Sequence, residues 1–300
     1  MNDETSDLID DAPVMKPSKN SWRAIGKRIL RIIALSYLGI IFVLAWFEST
    51  LVYPAPNPAD ARWERTDLSY EDVRFESDDG TRLHGWYFPH DSPRAHIIFC
   101  HGNAQQVADL GDWANAVRED LEVSIFVFDY RGYGQSEGKP HESGILADGK
   151  AAQAWLAERE GISRDQMVLW GLSLGGGVAV SMAADHGAQL LILDRTFSSI
   201  VGVASSHYPW LPVYFIMRNR YPSAERIKNY DGPLLQLHGV IDEIVPFRSG
   251  EALFEASPSA DKRFIRIETL RHNDPMPSDL YDAVDEALSR DHRELNQLPI

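Results

Sequence analysis

Short apolar runs recur along the chain, and segments of helical length and pattern lie between most of them. The six runs are HIIFC (96–100), SIFVFD (124–129), MVLWG (167–171), LLILD (190–194), LLQLHG (234–239) and FIRIE (264–268). Helical patterns cover 144–160 and 279–295. Strands that are apolar throughout and separated by helices belong to parallel sheets covered on both faces. The sequence therefore predicts an α/β fold with a mostly parallel central sheet and helices on both faces. A hairpin around DDG, over 73–88, precedes the first run.

The N-terminal part of the chain has a different composition. Residues 1–28 are polar, acidic at first and then basic, and are predicted to be disordered. The run IIALSYLGIIFVLAWF (32–47) has no charge over sixteen residues, and with its flanks it predicts a transmembrane anchor over 29–48. A cleaved signal peptide and a helix packed on the domain are the alternatives. A Pro-rich linker (53–60) and a folded domain (61–295) are predicted to follow.

Charge and cysteine content exclude several classes of function. The formal net charge is −15, and residues 1–50 hold six basic and six acidic side chains, so the whole imbalance belongs to residues 51–300. Nucleic-acid binding needs clustered cations, so this composition argues against it. Cys100 is the only cysteine, which excludes an intrachain disulfide and a multi-cysteine metal site, and we expect it to be a small buried apolar side chain.

The distribution of cations also predicts how the anchor is oriented. Basic residues precede the apolar run up to Arg31, and the first cation after it is Arg62. Because Lys and Arg favour the cytoplasmic side, the N-terminus is predicted to be cytoplasmic and the domain at 61–295 non-cytoplasmic.

The segment GLSLG places Ser173 between Gly171 and Gly175, directly after an apolar run and before a helical pattern. This setting is typical of the sharp strand-to-helix turn that exposes a nucleophilic serine. Such a turn leaves little room for a Cβ two positions from the serine. It also places the amide of Leu174 at a helix N-terminus, where partial positive charge stabilises an oxyanion.

Acyl transfer needs a second amide donor, which usually comes from the loop after an earlier strand. The sequence FCHGNAQQ follows the run at 96–100, so we predict that the N–H of Asn103 is this donor. His101 is predicted to be a hydrogen-bonded support.

The remaining members of a catalytic triad should follow the serine in the order acid, then histidine, at later strand ends. Asp242 follows the run at 234–239, and His272 follows the run at 264–268. Asp194, at the end of LLILD, is the rival acid. If it is not the triad acid, its carboxylate is expected to accept hydrogen bonds from nearby backbone or from Thr196.

Several motifs together resemble those of the α/β-hydrolase fold serine hydrolases, in particular the membrane-anchored α/β-hydrolase-domain proteins. The motifs are HGN, DYRGYGQSEG, GLSLGG, LDRTFSSI, HGVIDEIVP and RHND, within a similarity that runs from about residue 50 to 290. This branch includes lysophospholipases and protein depalmitoylases. The resemblance implies the triad Ser173, Asp242 and His272, with amides of Asn103 and Leu174 as oxyanion donors. One departure is that Leu270 and Arg271 stand where family members often have small residues.

The predicted function is hydrolysis of carboxylic ester or thioester bonds of acyl-chain substrates, through an acyl-enzyme and with no metal or organic cofactor. The 39 residues between Asp194 and the run at 234–239 allow only a small cap, in which 206–222 is rich in aromatic and aliphatic residues. That segment either lines an acyl groove or packs into the core. The alternatives are a serine peptidase of related fold and a catalytically silent scaffold. The expected partners are a small-molecule acyl substrate and a membrane.

Overall fold

The computed structural model describes residues 19–295, and it divides between Trp46 and Phe47 into two compact units. Eight strands form one sheet in the second unit: β1 (Glu71–Glu76), β2 (Arg82–Phe88), β3 (His96–Cys100), β4 (Ser124–Asp129), β5 (Met167–Leu172), β6 (Leu190–Asp194), β7 (Leu234–Gly239) and β8 (Lys262–Ile267). Every predicted strand is present, with bounds that differ by two residues at most.

The helices are α1 (Lys19–Trp46), α2 (Glu48–Val52), α3 (Val107–Asp120), α4 (Glu142–Glu160), α5 (Leu174–His186), α6 (Ile200–His207), α7 (Val213–Ile216), α8 (Ser223–Arg226), α9 (Phe247–Ala256) and α10 (Ser278–Leu295). Helices α6, α7 and α8 lie between β6 and β7 and form the small cap predicted for this stretch.

The strand order is β1-β2-β4-β3-β5-β6-β7-β8, in which β1–β2 and β2–β4 are antiparallel and all other pairs are parallel. Central strand β4 is buried at every position, whereas edge strand β1 has one buried residue, Val73, and edge strand β8 has none. The apolar runs follow from this topology, because only strands covered on both faces are apolar at successive positions.

Alternate side chains of the central strands enter two separate cores. Ile98 of β3 and Leu169 of β5 pack on one face, with residues of α4, α5 and α9. Phe99 and Trp170, one position further along the same strands, pack on the other face, with residues of α3 and α10. The sheet is therefore covered by helices on both faces, as predicted.

The N-terminal unit contains the long apolar helix α1. Its segment Trp22–Trp46 is 25 residues long, contains an 18-residue stretch with a mean hydropathy of 2.2, and is long and apolar enough to cross a membrane. The helix starts ahead of the predicted anchor, so 19–28, assigned to the disordered segment, are helical. Lys and Arg are good helix formers, and an established helix extends through them at little cost. Residues 1–18 lie outside the described residues.

The topology brings the predicted site residues to one edge of the sheet. The loops after β3, β5, β7 and β8 carry Asn103, Ser173, Asp242 and His272 respectively. Because these strands are parallel, their carboxyl ends lie at the same edge.

Candidate active site

Ser173 occupies the sharp turn between β5 and α5, with φ +51° and ψ −113°. A non-glycine residue in this region is strained by about 1–3 kcal/mol. The neighbouring glycines are required by close approach: a Cβ on Gly175 would lie 1.9 Å from the carbonyl oxygen of Cys100, and a Cβ on Gly171 would lie 2.5 Å from the carbonyl oxygen of Gly175. The turn thus packs tightly against the end of β3.

The structure brings Ser173, His272 and Asp242 into one hydrogen-bonded line. Nδ1 of His272 lies 2.7 Å from Oδ2 of Asp242, and Nε2 of His272 lies 3.0 Å from Oγ of Ser173. An ionised carboxylate only accepts hydrogen bonds, so Nδ1 carries the ring proton of the neutral imidazole. Nε2 is then free to accept the proton of the Ser173 hydroxyl, which is what a general base must do.

Asp242 is buried, and both of its carboxylate oxygens have partners. Oδ1 accepts hydrogen bonds from the backbone N–H of Ile244 at 2.9 Å and of Val245 at 2.8 Å. Burial raises the pKa of this carboxyl group, but the hydrogen bonds from His272 and from the two amides outweigh it and hold the pKa below its ordinary value. The carboxylate is therefore ionised at neutral pH and can stabilise a positively charged imidazole.

The rival acid, Asp194, is bonded to a different residue. Its carboxylate accepts two hydrogen bonds from Arg195, at 2.7 Å from Nε and 2.9 Å from Nη2. Backbone groups or Thr196 were the partners predicted for this carboxylate from the sequence. The Thr196 hydroxyl instead donates to the carbonyl oxygen of Ser173 at 2.7 Å. A charged guanidinium is the stronger partner for a buried carboxylate, which accounts for the difference.

The two predicted oxyanion donors follow neighbouring strands of the sheet. Leu174 is the first residue of α5, so its N–H has no acceptor within the helix. The side chain of Asn103 is held on both sides, because Nδ2 donates to the carbonyl oxygen of Val52 at 2.5 Å and Oδ1 accepts from the hydroxyl of Tyr133 at 2.5 Å. Neither partner was predicted from the sequence. A backbone carbonyl such as that of Val52 leaves no signal in a sequence.

His101 and Cys100 are buried behind this loop. Nδ1 of His101 lies 2.8 Å from the carbonyl oxygen of Gly102, and its ring stacks on Tyr130 at a centroid distance of 4.2 Å. Burial lowers the pKa of His101 and raises the pKa of the Cys100 thiol, so both side chains are neutral. These contacts agree with a supporting role for His101.

The cap segment 206–222 is partly core and partly surface. Val213 and Tyr221 are buried, whereas Trp210 is 56% and Phe215 is 91% exposed. Nε2 of His207 lies 2.8 Å from the carbonyl oxygen of Ile244, which ties the cap to the loop that carries Asp242. Several large apolar side chains of the cap and of that loop are exposed: Tyr208, Trp210, Tyr214, Phe215, Ile241 and Ile244.

The residues before His272 that depart from the family pattern have separate environments. Leu270 is buried in the core that includes α3 and α10, and its carbonyl oxygen would lie 2.0 Å from a Cβ placed on Gly239. Arg271 is exposed. The larger residue at 270 is therefore accommodated by close packing against the end of β7.

Comparison with known proteins agrees with this architecture. Residues 95–268 match the model of the alpha/beta hydrolase fold family. The chain is 36% identical over 250 residues to an uncharacterized protein of Mycobacterium tuberculosis, covering 82% of this chain and 88% of that protein. It is 31% identical over 229 residues to the alpha/beta hydrolase domain-containing protein WAV2 of Arabidopsis thaliana, covering 69% and 74%.

Among solved structures, an esterase of Pyrococcus furiosus superposes with a TM-score of 0.62 at 19% identity, covering 79% of this chain and 97% of the esterase. At this identity the likeness concerns the fold. Together with the eight-stranded sheet and the turn at Ser173, the match over 95–268 shows that the chain belongs to the α/β-hydrolase family.

Proposed function

We propose that the protein is a membrane-anchored serine hydrolase that cleaves carboxylic ester or thioester bonds of acyl-chain substrates. The observation that carries the proposal is the hydrogen-bonded line from Ser173 through His272 to Asp242, with separations of 3.0 Å and 2.7 Å. Family membership and the fold of the Pyrococcus furiosus esterase support hydrolysis as the reaction class.

In the first half of the reaction, Oγ of Ser173 bonds to the substrate carbonyl carbon while Nε2 of His272 takes the hydroxyl proton. The carbonyl π electrons move to oxygen, and the N–H groups of Asn103 and Leu174 stabilise the resulting charge. The Asp242 carboxylate stabilises the imidazolium. When the carbonyl reforms, the bond to the leaving alkoxide or thiolate breaks, and the leaving group takes the proton from Nε2.

In the second half, water takes the place of the leaving group. Nε2 of His272 accepts a proton from water as the water oxygen bonds to the acyl carbon. Collapse of this second tetrahedral intermediate breaks the bond to Oγ and returns the proton to Ser173. The products are a carboxylic acid and the free enzyme.

The preference for acyl chains rests on the exposed apolar side chains of the cap and of the Asp242 loop. Tyr214 and Phe215 are more than half exposed, as is Trp210. A soluble domain usually covers such side chains, so a cluster of them is typical of contact with an apolar ligand or a lipid surface.

The anchor is proposed from the length and hydropathy of α1. A 25-residue helix spans ~37 Å at ~1.5 Å per residue, more than the ~30 Å hydrocarbon core. The basic residues Arg23, Lys27, Arg28 and Arg31 precede the most apolar part, so the N-terminus is proposed to be cytoplasmic and the domain non-cytoplasmic.

Activity-based labelling tests the reaction class. A fluorophosphonate probe should label the purified full-length chain on Ser173, and Ser173→Ala should lose both the label and hydrolysis of p-nitrophenyl acyl esters. Loss of an activated nucleophile lowers turnover by on the order of 10⁴ or more. A folded Ser173→Ala protein with unchanged turnover would contradict the mechanism, and faster cleavage of chromogenic peptides than of esters would favour a peptidase.

A further inference from the structure

The segment Asp194–Thr196, at the end of β6, contacts the backbone on both sides of it. The carbonyl oxygen of Asp194 accepts a hydrogen bond from the N–H of Ser173 at 2.9 Å, and the Thr196 hydroxyl donates to the carbonyl oxygen of Ser173. The N–H of Arg195 donates at 2.9 Å to the carbonyl oxygen of Leu237, in the strand that leads to Asp242. This segment therefore joins the nucleophile turn to the strand of the proposed acid.

The side chain of Arg195 also contacts the loop that carries His272, referred to below as the histidine loop. Its guanidinium is 2% exposed and uses Nε and Nη2 for the carboxylate of Asp194. Nη1 donates to three carbonyl oxygens of the loop that carries His272: those of Arg271 at 3.3 Å, His272 at 2.8 Å and Asp274 at 2.6 Å.

We infer that Arg195, with Asp194 as its counter-ion, is a positioning residue that fixes the histidine loop relative to the nucleophile turn. The inference deepens the proposed function and rests on it. Proton transfer from Ser173 requires Nε2 of His272 to stay within hydrogen-bond reach, and a displacement of ~1 Å costs on the order of 10²-fold in rate. Three carbonyl contacts from one rigid, planar cation restrict such a displacement.

The backbone of Arg195 supports this assignment. Its φ is +46°, a left-handed conformation that strains a side chain with a Cβ. Glycine adopts this conformation without strain, so a chain that needed only the turn would be more stable with glycine. The contacts of the guanidinium compensate for the strain.

Charge balance explains why a cation is tolerated beside an imidazole that becomes positive. Burial alone would lower the pKa of Arg195, but the hydrogen bonds and charge of Asp194 raise it above its ordinary value. The guanidinium therefore stays charged and paired. Because Asp194 neutralises it, its repulsion of a protonated His272 is weak.

A second buried pair provides a matched control. Arg131 and Asp148 are also both buried, with Nε and Nη2 of Arg131 donating to the Asp148 carboxylate at 2.8–3.1 Å. The remaining contacts of the Arg131 guanidinium are with Asp79 and Ser77, next to the turn between β1 and β2. Replacing this arginine removes a comparable interaction away from the histidine loop.

The test compares Arg195→Lys and Arg195→Gly with Arg131→Lys, in the full-length chain in detergent, using a p-nitrophenyl ester. Lysine keeps the charge but cannot bridge the carboxylate and three carbonyls. We expect both Arg195 variants to lower kcat by ~10²-fold with little change in KM. Guanidinium ion should partly restore kcat of Arg195→Gly, whereas sodium chloride should not. Arg131→Lys should lower Tm with kcat retained.

A spectroscopic readout separates this inference from the proposed function. The Nδ1 proton shared by His272 and Asp242 should give a far-downfield proton resonance in the wild type, and the resonance should broaden in both Arg195 variants but not in Arg131→Lys. Retained kcat and a sharp resonance in Arg195→Lys would overturn the positioning role, as would an equal kcat loss in Arg131→Lys. If the wild type is not labelled by the fluorophosphonate and does not hydrolyse esters, the proposed function fails. The resonance then still tests whether Arg195 positions His272. If Arg195→Gly does not fold, Arg195→Lys decides.

Discussion

Asp194 at the end of β6 and Asp242 in the loop after the neighbouring strand β7 are both buried, and they have different partners. Asp194 is paired with Arg195, whereas Asp242 accepts a hydrogen bond from His272. The two carboxylates therefore make different contributions. One fixes a cation that holds the histidine loop, and the other selects the imidazole tautomer.

Because the two aspartates have different partners, replacing each by asparagine should have a different effect. Asp242→Asn should keep the fold and lower the acylation rate by about 10²–10⁴-fold, because the amide favours the wrong tautomer of His272. Asp194→Asn should reduce stability by about 1–3 kcal/mol. It should lower turnover less than Asp242→Asn does, because its amide oxygen still accepts a hydrogen bond from Arg195 although it no longer neutralises the guanidinium. Measurement of kcat/KM and Tm for both variants checks the assignment. If Asp194→Asn loses turnover at an intact Tm while Asp242→Asn stays active, Asp194 is the acid.

At the scale of elements, the short helix α2 joins the beginning of the domain to the cap. The carboxylate of Glu48 accepts hydrogen bonds from the N–H groups of Arg218 and Asn219, each at 2.8 Å. The hydroxyl of Tyr53 donates to Asn219, and the carbonyl oxygen of Val52 accepts from the side chain of Asn103. The segment after the apolar helix thus reaches both the cap and the loop of a proposed oxyanion donor.

Glu48→Gln should therefore weaken the attachment of the cap. Burial raises the pKa of Glu48, but hydrogen bonds from Asn219 and Arg218 outweigh it and lower the pKa. A group with a lowered pKa stabilises the fold above its unfolded pKa, and this contribution is lost as the pH falls through the folded value. We expect Glu48→Gln to lose about 1–3 kcal/mol of stability at neutral pH, with a smaller loss in acid.

Denaturant titrations at neutral pH and below about pH 4 measure this difference. Glu64→Gln, at an exposed glutamate before β1, is the control and should leave stability unchanged at either pH. A loss of stability in Glu48→Gln that is the same at both pH values would contradict the role of the ionised carboxylate.

At the scale of the whole molecule, the proposed anchor determines on which side of the membrane the domain encounters its substrate. The chain should remain with membranes after an alkaline carbonate wash, because removal of α1 would expose its apolar surface to water. Residues 51–300 should be protected from protease added to the cytoplasmic side, as the basic flank predicts. Rapid digestion of the domain from that side would refute the orientation without affecting the proposed chemistry. A mature chain that begins after residue 47 would indicate a cleaved signal peptide instead.

The sequence alone was sufficient for the strands, for the helices at 144–160 and 279–295, and for the turn at Ser173. These features depend on interactions between residues close in the chain: apolar periodicity, helix-forming composition and the glycines at 171 and 175. The four central residues of β4, 125–128, are all apolar and buried, so this strand is visible in the sequence. The start of α1 was less visible, because Lys and Arg are compatible with both a helix and a disordered tail.

Only the tertiary structure decided which groups meet at the edge of the sheet. Ser173 and His272 are 99 residues apart, and their contact depends on the order of β5, β6, β7 and β8. The sequence named Asp242 and Asp194 as candidate acids, but only the fold showed that Asp194 pairs with Arg195 and Asp242 with His272. The hydrogen bond between the Asn103 side chain and the carbonyl oxygen of Val52 could not be predicted for a related reason. Local pattern determines elements, whereas long-range contacts depend on how those elements pack, and no short segment records that packing.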